Sequence, residues 1–305
     1  MINSYVAVDL ETTGLDPKTD KIIEIGAVKV KDGMVTAEFS TLVNPRRLLE
    51  TRITELTGIK DEMLRDAPDI QAVMKNMVDF CQGLPVLGHH IMFDYSFLKK
   101  AAVNEGLSFE KAGIDTLTLC RKFMPEEEKK NLAAACKYYG VEMKEAHRAL
   151  SDAYAAHELY QVMLNRYGTG HEAEHGERLG AGSKAGHETS YKAGHDTSRK
   201  TGHETSRMAG HDTSRKIGHE MESVTATGDI SGADRKGRAV FDAKTLVYKV
   251  KKEQPATKRQ KEGLRELIKY HKIDITVQID YLSRSEVSRM TDKIISQYGR
   301  ITAKR

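Results

Sequence analysis

The amino-acid sequence predicts an α/β protein in which a mixed β-sheet is flanked by helices and followed by a polar linker and a small helical module. Three observations support this prediction. Runs of β-branched residues dominate residues 5–43, helical periodicity dominates residues 70–166, and the composition changes abruptly after Arg166. Strands that precede a mixture of helices favour a mixed sheet with helices on both faces.

Four segments are predicted to be β-strands. Residues 5–9 form an apolar run that ends at Asp9. Residues 22–31 and 34–43 are rich in β-branched side chains, and the Asp32-Gly33 pair between them is typical of a tight hairpin turn. Residues 85–88 form a short apolar run typical of a buried strand.

The helices of the first 167 residues are predicted from their periodicity and their ends. Apolar residues recur at helical spacing between Ile70 and Cys81, which predicts a helix that packs on the sheet. A short helix is expected at residues 54–57, closed by Gly58, and an amphipathic helix at residues 94–105. Further helices are expected at residues 116–122, 131–139 and 149–166.

The composition limits the class of protein. Only 39% of the residues are hydrophobic and 30% are charged, and no apolar run is long enough to cross a bilayer. We therefore expect no membrane span, and because residues 1–3 lead directly into the first strand we expect a cytoplasmic protein without a signal peptide. Cys81, Cys120 and Cys136 lack the spacing of a zinc site and are expected to be reduced thiols in the core.

The charge is distributed unevenly along the chain. Residues 1–167 contain 25 acidic and 21 basic side chains, whereas residues 255–305 contain 6 acidic and 12 basic ones. This asymmetry suggests a catalytic domain followed by a segment that contacts a polyanion.

A repeat of eight residues occupies the middle of the chain. Gly-His pairs begin at residues 186, 194, 202, 210 and 218, each followed by an acidic residue. Because large apolar side chains are almost absent there, we expect residues 168–238 to be a flexible low-complexity linker. The alternative is that the repeated histidines bind Zn²⁺, Ni²⁺ or Cu²⁺.

Residues 239–305 are predicted to form a small basic helical module. Thr257 with Gln260 and Ser283 with Glu286 each match the capping box that begins a helix, and Gly299 is expected to end the second helix. The excess of Lys and Arg fits contacts with phosphate groups. A surface for protein interaction is the alternative.

Two carboxylates lie close together at the end of the first predicted strand. Asp9 and Glu11 are two residues apart, so in a strand both side chains project from the same face. Like charges inside a protein repel unless a cation or a shared proton relieves them. The pair therefore predicts a metal site.

Three segments together carry the motifs of a known family. They are Asp-Leu-Glu-Thr-Thr-Gly at residues 9–14, Gly-His-His-Ile-Met-Phe-Asp-Tyr-Ser-Phe-Leu at 88–98, and His-Arg-Ala-Leu-Ser-Asp-Ala at 147–153. In this order they resemble the DnaQ-like, or DEDDh, family of 3′→5′ exonucleases, which includes the epsilon subunit of DNA polymerase III. The resemblance covers residues 1–167 and implies an RNase H-like mixed sheet of five strands.

The resemblance also implies roles for individual residues. Asp9, Glu11, Asp94 and Asp152 would bind two Mg²⁺ or Mn²⁺ ions, and His147 would be the general base. The chemistry agrees, because hard cations prefer carboxylate oxygens and a pair of them can hold the attacking and the leaving oxygen of a phosphodiester. Imidazole is suited to the base because it titrates near neutral pH.

Three further residues are expected to meet the substrate. The backbone at Thr12 would contact the terminal 3′-hydroxyl. Phe97 offers a ring on which a base could stack, with packing of its helix as the favoured alternative. His90 stands where the family commonly has Asn, and its imidazole could change how the scissile phosphate or a metal-bound water is held. His157 and Tyr160 lie at no family position and are expected to be packing or surface residues.

The sequence thus predicts a metal-dependent 3′→5′ exonuclease that releases nucleoside monophosphates from single-stranded or frayed DNA 3′ ends during replication or repair. A DNA polymerase or another replication or repair protein is the expected protein partner. Two alternatives stay open: trimming of RNA by the same site, and a non-catalytic nucleic-acid-binding module.

Overall fold

The first three strands form an antiparallel meander. The computed structural model describes residues 2–143, 146–168 and 239–301. Strands β1 (Tyr5–Thr12), β2 (Ile22–Lys31) and β3 (Met34–Leu42) pair in chain order. Asp32 and Gly33 join β2 to β3 with φ angles of 50° and 81°, the left-handed values that a two-residue hairpin turn requires. The predicted hairpin is confirmed.

Three helices lead from β3 to the next strand. They are α1 (Thr51–Thr57), α2 (Asp61–Arg65) and α3 (Ile70–Phe80). Gly58 ends α1 with a φ angle of 70°, as predicted. The buried face of α3 packs with residues of β1 and β2, and the short strand β4 (Val86–Gly88) then pairs in parallel with β1.

The chain then alternates between the two faces of the sheet. Its remaining elements before residue 169 are α4 (Met92–Asn104), β5 (Ala112–Asp115), α5 (Thr116–Phe123), α6 (Leu132–Tyr139) and α7 (Ala149–Tyr167). Strand β5 pairs in parallel with β4. Helices α3 and α4 cover one face of the sheet, while α5, α6 and α7 cover the other.

Helix α4 is not amphipathic, contrary to the prediction. Its residues 94–100 are all buried, including Lys99 and Lys100. The Lys99 ammonium pairs with Glu110, and the Lys100 ammonium lies 3.3 Å from a carboxylate oxygen of Glu253. Because Glu253 belongs to the C-terminal segment, periodicity within α4 could not reveal that its outer face is covered.

The C-terminal segment adds a strand to the sheet. Strand β6 (Lys244–Thr245) pairs antiparallel with β5, so the sheet has six strands in the order β3-β2-β1-β4-β5-β6 instead of the expected five. Phe241, which is fully buried, packs against the α7 face, and Leu246 packs against the α4 face.

Two helices follow β6 and confirm both predicted capping boxes. Helix α8 (Lys258–His271) begins at Thr257 and α9 (Arg284–Tyr298) begins at Ser283. Their buried residues form a small core of their own, which comprises Ala256, Leu264, Leu267, Leu282, Val287 and Ile294.

The helical pair is attached to the rest of the fold by backbone and charged contacts. The Leu48 N–H donates to the Thr276 carbonyl at 2.8 Å, and the Lys21 ammonium lies 2.6 Å from the Glu286 carboxylate. All described residues fall within one compact unit. Apart from Gly168, which ends α7, the predicted linker and its histidines lie outside the described ranges. Within those ranges no helix is long and apolar enough to span a membrane.

Candidate active site

Four carboxylates from three elements converge at the end of β1. Asp9 and Glu11 lie on β1, where they face Gly26 and Glu24 of β2 in the strand register. Asp94 is in the first turn of α4, and its Oδ1 accepts a hydrogen bond from the Leu10 N–H at 3.1 Å. That bond ties the start of α4 to the strand between the two β1 carboxylates.

Asp152 reaches the same place from the first turn of α7. Its Oδ2 accepts the His147 backbone N–H at 3.0 Å, whereas its Oδ1 is buried and has no hydrogen-bond partner among the described residues. The close approach of α7 depends on Gly26, because a Cβ there would lie 2.1 Å from backbone atoms of Ala149 and Leu150.

His147 completes the cluster. Donor atoms of Glu11, His147 and Asp152 lie within 4.8 Å of one another. His147 is exposed and has a φ angle of 61°. Residues other than Gly adopt this left-handed backbone conformation rarely, and mostly where the surroundings impose it. The predicted set of Asp9, Glu11, Asp94, Asp152 and His147 therefore lies together.

The carboxylates hold their protons more tightly than usual. Burial raises the pKa of Glu11 to about 7, and the charges of Asp152 and Glu24 add to the effect. Burial likewise raises the pKa of Asp9 well above its usual value, with the charges of Asp94 and Asp152 adding to it. So many carboxylates in one place are unfavourable when all are ionised, unless a cation neutralises them.

The remaining two acids show the same direction of shift. Burial raises the pKa of Asp94 well above its usual value, opposed by hydrogen bonds from backbone N–H groups. Burial also raises the pKa of Asp152, opposed mainly by the hydrogen bond from the His147 N–H. A divalent cation would remove the cost of ionising both groups.

The residues fit such a cation. The donors are hard carboxylate oxygens, the kind that Mg²⁺ and Mn²⁺ prefer. The unpaired Oδ1 of Asp152 is a buried acceptor that requires a partner, because a buried polar atom without one is costly.

Glu24 is a member of the site that the sequence did not reveal. It is 2% exposed, and its carboxylate accepts hydrogen bonds from Arg148 Nη2 at 2.8 Å and from the Ala149 N–H at 3.1 Å. In the sequence it appears as one acid within a β-prone run. Its partners are more than a hundred residues away, so no local pattern marks it.

The two histidines of the middle motif have different surroundings. His89 is the packed one: its Nε2–H donates to the Lys130 carbonyl at 2.7 Å, and its Nδ1 lies 2.9 Å from Thr116 Oγ1. Burial lowers its pKa, and with both ring nitrogens held by the protein it is a packing residue. His90 is exposed, with a φ angle of 74°, and its N–H donates to Asp115 Oδ1 at 2.9 Å.

Two of the expected substrate contacts have buried side chains. Thr12 is 8% exposed, and its hydroxyl donates to the Gly14 carbonyl at 2.6 Å, so the hydroxyl proton is already bound within the protein. Phe97 is 3% exposed and its ring lies 5.0 Å from that of Phe93. Since Phe97 has almost no open face, the half-buried Phe93 is the ring of this pair that is accessible to a base.

His157 and Tyr160 are packing residues, in agreement with the prediction. Both are buried, and the Tyr5 hydroxyl lies 2.9 Å from His157 Nδ1. Cys81, Cys120 and Cys136 are likewise buried free thiols.

Comparisons with known proteins agree with this arrangement. A family model, RNase_T, described as an exonuclease, matches residues 6–160. The PolC-type DNA polymerase III of Bacillus subtilis is 41% identical over 164 residues, which are 53% of this chain and 11% of the polymerase. That of Caldanaerobacter subterraneus is 38% identical over 162 residues, 53% of this chain and 12% of the polymerase.

The chain therefore spans only about an eighth of the length of these relatives. Among solved structures, Escherichia coli exonuclease I in complex with a dA16 oligonucleotide matches with a TM-score of 0.50 and 18% identity, over 55% of this chain and 42% of that one. The latter likeness concerns the fold, an RNase H-like exonuclease fold with a mixed sheet flanked by helices.

Proposed function

Since this chain belongs to the exonuclease family whose model matches residues 6–160, we propose that it removes nucleoside monophosphates from the 3′ ends of DNA by metal-dependent hydrolysis. The observation that carries the proposal is the buried Oδ1 of Asp152, which has no partner among the described residues, within a cluster of carboxylates whose pKa values are all raised. A set of hard oxygen donors in this state is suited to divalent cations and not to a purely structural role.

The side chains of the site have separable tasks. Asp9, Glu11, Asp94 and Asp152 would hold two Mg²⁺ or Mn²⁺ ions. When bound, these ions would neutralise the negative charge of the phosphodiester and make the attacking water more acidic. The His147 imidazole, exposed beside Glu11 and Asp152, takes the proton of the attacking water at a ring nitrogen. The Glu24 carboxylate fixes Arg148 and Ala149 and thereby positions His147.

DNA is the proposed substrate because the relatives are DNA polymerases by name. For the same reason a DNA polymerase, or another replication or repair protein, is the proposed protein partner. The backbone at Thr12 and the exposed His90 would contact the last nucleotide.

The proposal is tested with a 5′-labelled oligonucleotide in Mg²⁺ or Mn²⁺. The protein should shorten it stepwise, and Asp9→Asn should reduce the rate by at least about 100-fold, since even the loss of a residue behind a metal ligand often costs about 10–100-fold. His147→Asn, which tolerates the left-handed backbone, should also slow cleavage about 100-fold or more.

A matched control is Asp79→Asn, which changes an exposed acid on α3 and should cleave at the wild-type rate. Undiminished trimming by Asp9→Asn would contradict the proposed site. DNA and RNA of the same sequence are compared in the same assay, and faster trimming of RNA would identify RNA, not DNA, as the substrate. Binding without cleavage would indicate a non-catalytic module.

A further inference from the structure

A cleft of about 380 Å³ lies where three parts of the chain meet. One wall is formed by residues 248–254, the extended segment between β6 and α8. The other walls are formed by Lys18 of the β1–β2 loop, Lys100 of α4, and the first turn of α9 with Arg284. The cleft is therefore built jointly by the exonuclease fold and the C-terminal segment.

The lining of this cleft is strongly basic. Its only acid, Glu253, is paired with Lys100 at 3.3 Å. The other cations have no carboxylate within 4.0 Å among the described residues, and they are Lys18, Lys249, Lys251, Lys252 and Arg284. Five cations without a described acidic partner on one concave surface create a field that favours a polyanion.

An aromatic ring accompanies the cations. Tyr248 lines the same cleft and is half-buried, because it packs against the apolar cluster that includes Leu246 and Phe109. A basic groove with an aromatic ring is the combination that proteins use to bind single-stranded nucleic acid, where the ring stacks on a base.

The walls of the cleft are held in place by hydrogen bonds. The Lys18 carbonyl accepts from Lys100 Nζ at 3.0 Å and from Arg289 Nη2 at 3.2 Å. On the opposite wall the Glu253 N–H donates to Asn104 Oδ1 at 2.9 Å, and the Arg284 N–H donates to the Gln254 carbonyl at 2.8 Å. These bonds hold the backbone at Lys18, Glu253 and Arg284 in place.

The β1–β2 loop, which carries Lys18, connects the cleft to the carboxylates of the proposed active site. Lys18 follows Glu11 by seven residues, which sets an upper limit of about 25 Å between their Cα atoms. The start of the loop is anchored, because the Thr13 N–H donates to the Lys21 carbonyl at 2.8 Å. A single-stranded nucleic acid whose 3′ end lies at Glu11 therefore needs to span no more than this distance to reach the cleft.

We propose that this cleft binds the phosphodiester backbone of a single-stranded nucleic acid a few nucleotides away from its 3′ end. The placement of the 3′ end of the nucleic acid at Glu11 rests on the proposed exonuclease function. Lys249, Lys251, Lys252 and Arg284 contact phosphates, and Tyr248 stacks on a base. The C-terminal segment thus extends the substrate site instead of forming a separate binding module.

The test uses the full-length chain and neutralises three lysines of the extended segment, as Lys249→Gln, Lys251→Gln and Lys252→Gln together. Its control neutralises three exposed lysines of α8 and α9, as Lys258→Gln, Lys269→Gln and Lys293→Gln together. The two triple variants have the same net charge. Thermal unfolding establishes that both are folded.

Binding of labelled single-stranded DNA of about 5 and about 20 nucleotides is measured by fluorescence anisotropy in EDTA, over a range of salt concentrations. The cleft variant should bind the long strand on the order of 10–100-fold more weakly at low salt, with a smaller loss for the short strand. The slope of log K against log salt should fall by about 2, since each lost contact with a single strand contributes about 0.7.

Equal weakening by the control variant would overturn the proposal, because net charge alone would then explain binding. Displacement of DNA by poly-glutamate as effectively as by unlabelled DNA would also overturn it and would assign the cleft to an acidic protein. If the wild-type chain binds as expected but cleaves nothing in Mg²⁺ or Mn²⁺, the cleft is supported and the exonuclease function is contradicted.

Discussion

A buried glutamate outside the predicted ligand set affects both the charge and the geometry of the proposed catalytic centre. Glu24 is 2% exposed, and its carboxylate fixes both Arg148 and the start of α7. Its charge also contributes to the raised pKa values of Asp9 and Glu11. Glu24 is therefore a positioning residue that also affects how readily the neighbouring acids ionise.

Replacing Glu24 with Gln should test this double role. Gln keeps one acceptor but loses the ion pair with the partly exposed Arg148, so we expect a loss of about 1–2 kcal/mol of unfolding free energy. Cleavage should fall about 10-fold or more. Because a charge near Glu11 is removed, Mg²⁺ should also begin to stabilise the variant at a lower pH than the wild type.

Glu62→Gln, an exposed change on α2, is the control. Identical pH profiles of Mg²⁺ stabilisation for both variants would refute the effect of the Glu24 charge on Glu11.

The raised pKa of Glu11 predicts how stability depends on pH without metal. Glu11 releases its proton near pH 7 when folded and near its ordinary value of 4.5 when unfolded. Between these values the folded state binds more protons, so stability is greatest at low pH and falls as pH rises through this window. In EDTA, the melting temperature of the wild type relative to Glu11→Gln should decline between about pH 5 and 7.5, on the order of 5 °C.

Mg²⁺ should reverse that decline, with the larger stabilisation at pH 7.5. The difference between wild type and Glu11→Gln isolates this effect from His89 and His157. Burial lowers the pKa values of both histidines, so they shift stability in the opposite direction. A difference in melting temperature that does not change with pH would contradict the linkage.

At the scale of elements, the contact between β2 and α7 determines whether Asp152 meets the β1 carboxylates. Gly26 lies opposite Asp9 in the strand register and directly below the backbone of Ala149 and Leu150. The first turn of α7, which carries Asp152, therefore rests on a strand position that has no side chain.

Gly26→Ala should consequently displace the start of α7. A Cβ 2.1 Å from backbone atoms cannot be accommodated by rotating a side chain, so we expect a loss of about 1–3 kcal/mol and a strong loss of cleavage. Gly263→Ala on α8 is the control, because nothing lies within 4 Å of its added Cβ. That change should stabilise the chain by roughly 0.5–1 kcal/mol. Chemical denaturation and the oligonucleotide assay measure both effects.

The elements that the sequence predicted are those with a local signal. The hairpin at Asp32-Gly33 and both capping boxes are encoded by residues within four positions of one another, and all three are confirmed. Strand β5 has no such signal, because Ile114 is its only strongly β-prone residue. The predicted catalytic residues carried a motif, whereas Glu24 and Gly26 depend on α7, which is distant in sequence.

At the scale of the whole molecule, the C-terminal segment shares an apolar core with the first 167 residues. Phe241 is fully buried, with ring centroids of Phe123 and Tyr160 at 5.7 and 6.1 Å. Composition and charge separate residues 239–305 from the first 167, but burial of one aromatic residue by tertiary contacts leaves no such trace. Phe241 therefore joins the C-terminal segment to the core that α5 and α7 cover.

Phe241→Ala should destabilise the exonuclease fold itself. Removing a buried ring leaves a cavity next to α7 and should cost about 3–5 kcal/mol. Val247→Ala, six residues further along and 58% exposed, should change stability by less than about 0.5 kcal/mol. Both are measured by urea denaturation followed by circular dichroism, and equal midpoints for the two variants would refute the anchoring role.

Strand β6 also has a consequence for colloidal behaviour. Its two residues pair with Ala112 and Gly113 and so cover the first half of the outer edge of β5, whose backbone N–H and C=O groups would otherwise be open to pairing. Open strand edges are templates for association between copies of a chain. A chain shortened to its first 167 residues would therefore lose more than stability, because its exposed edge and uncovered core would promote aggregation.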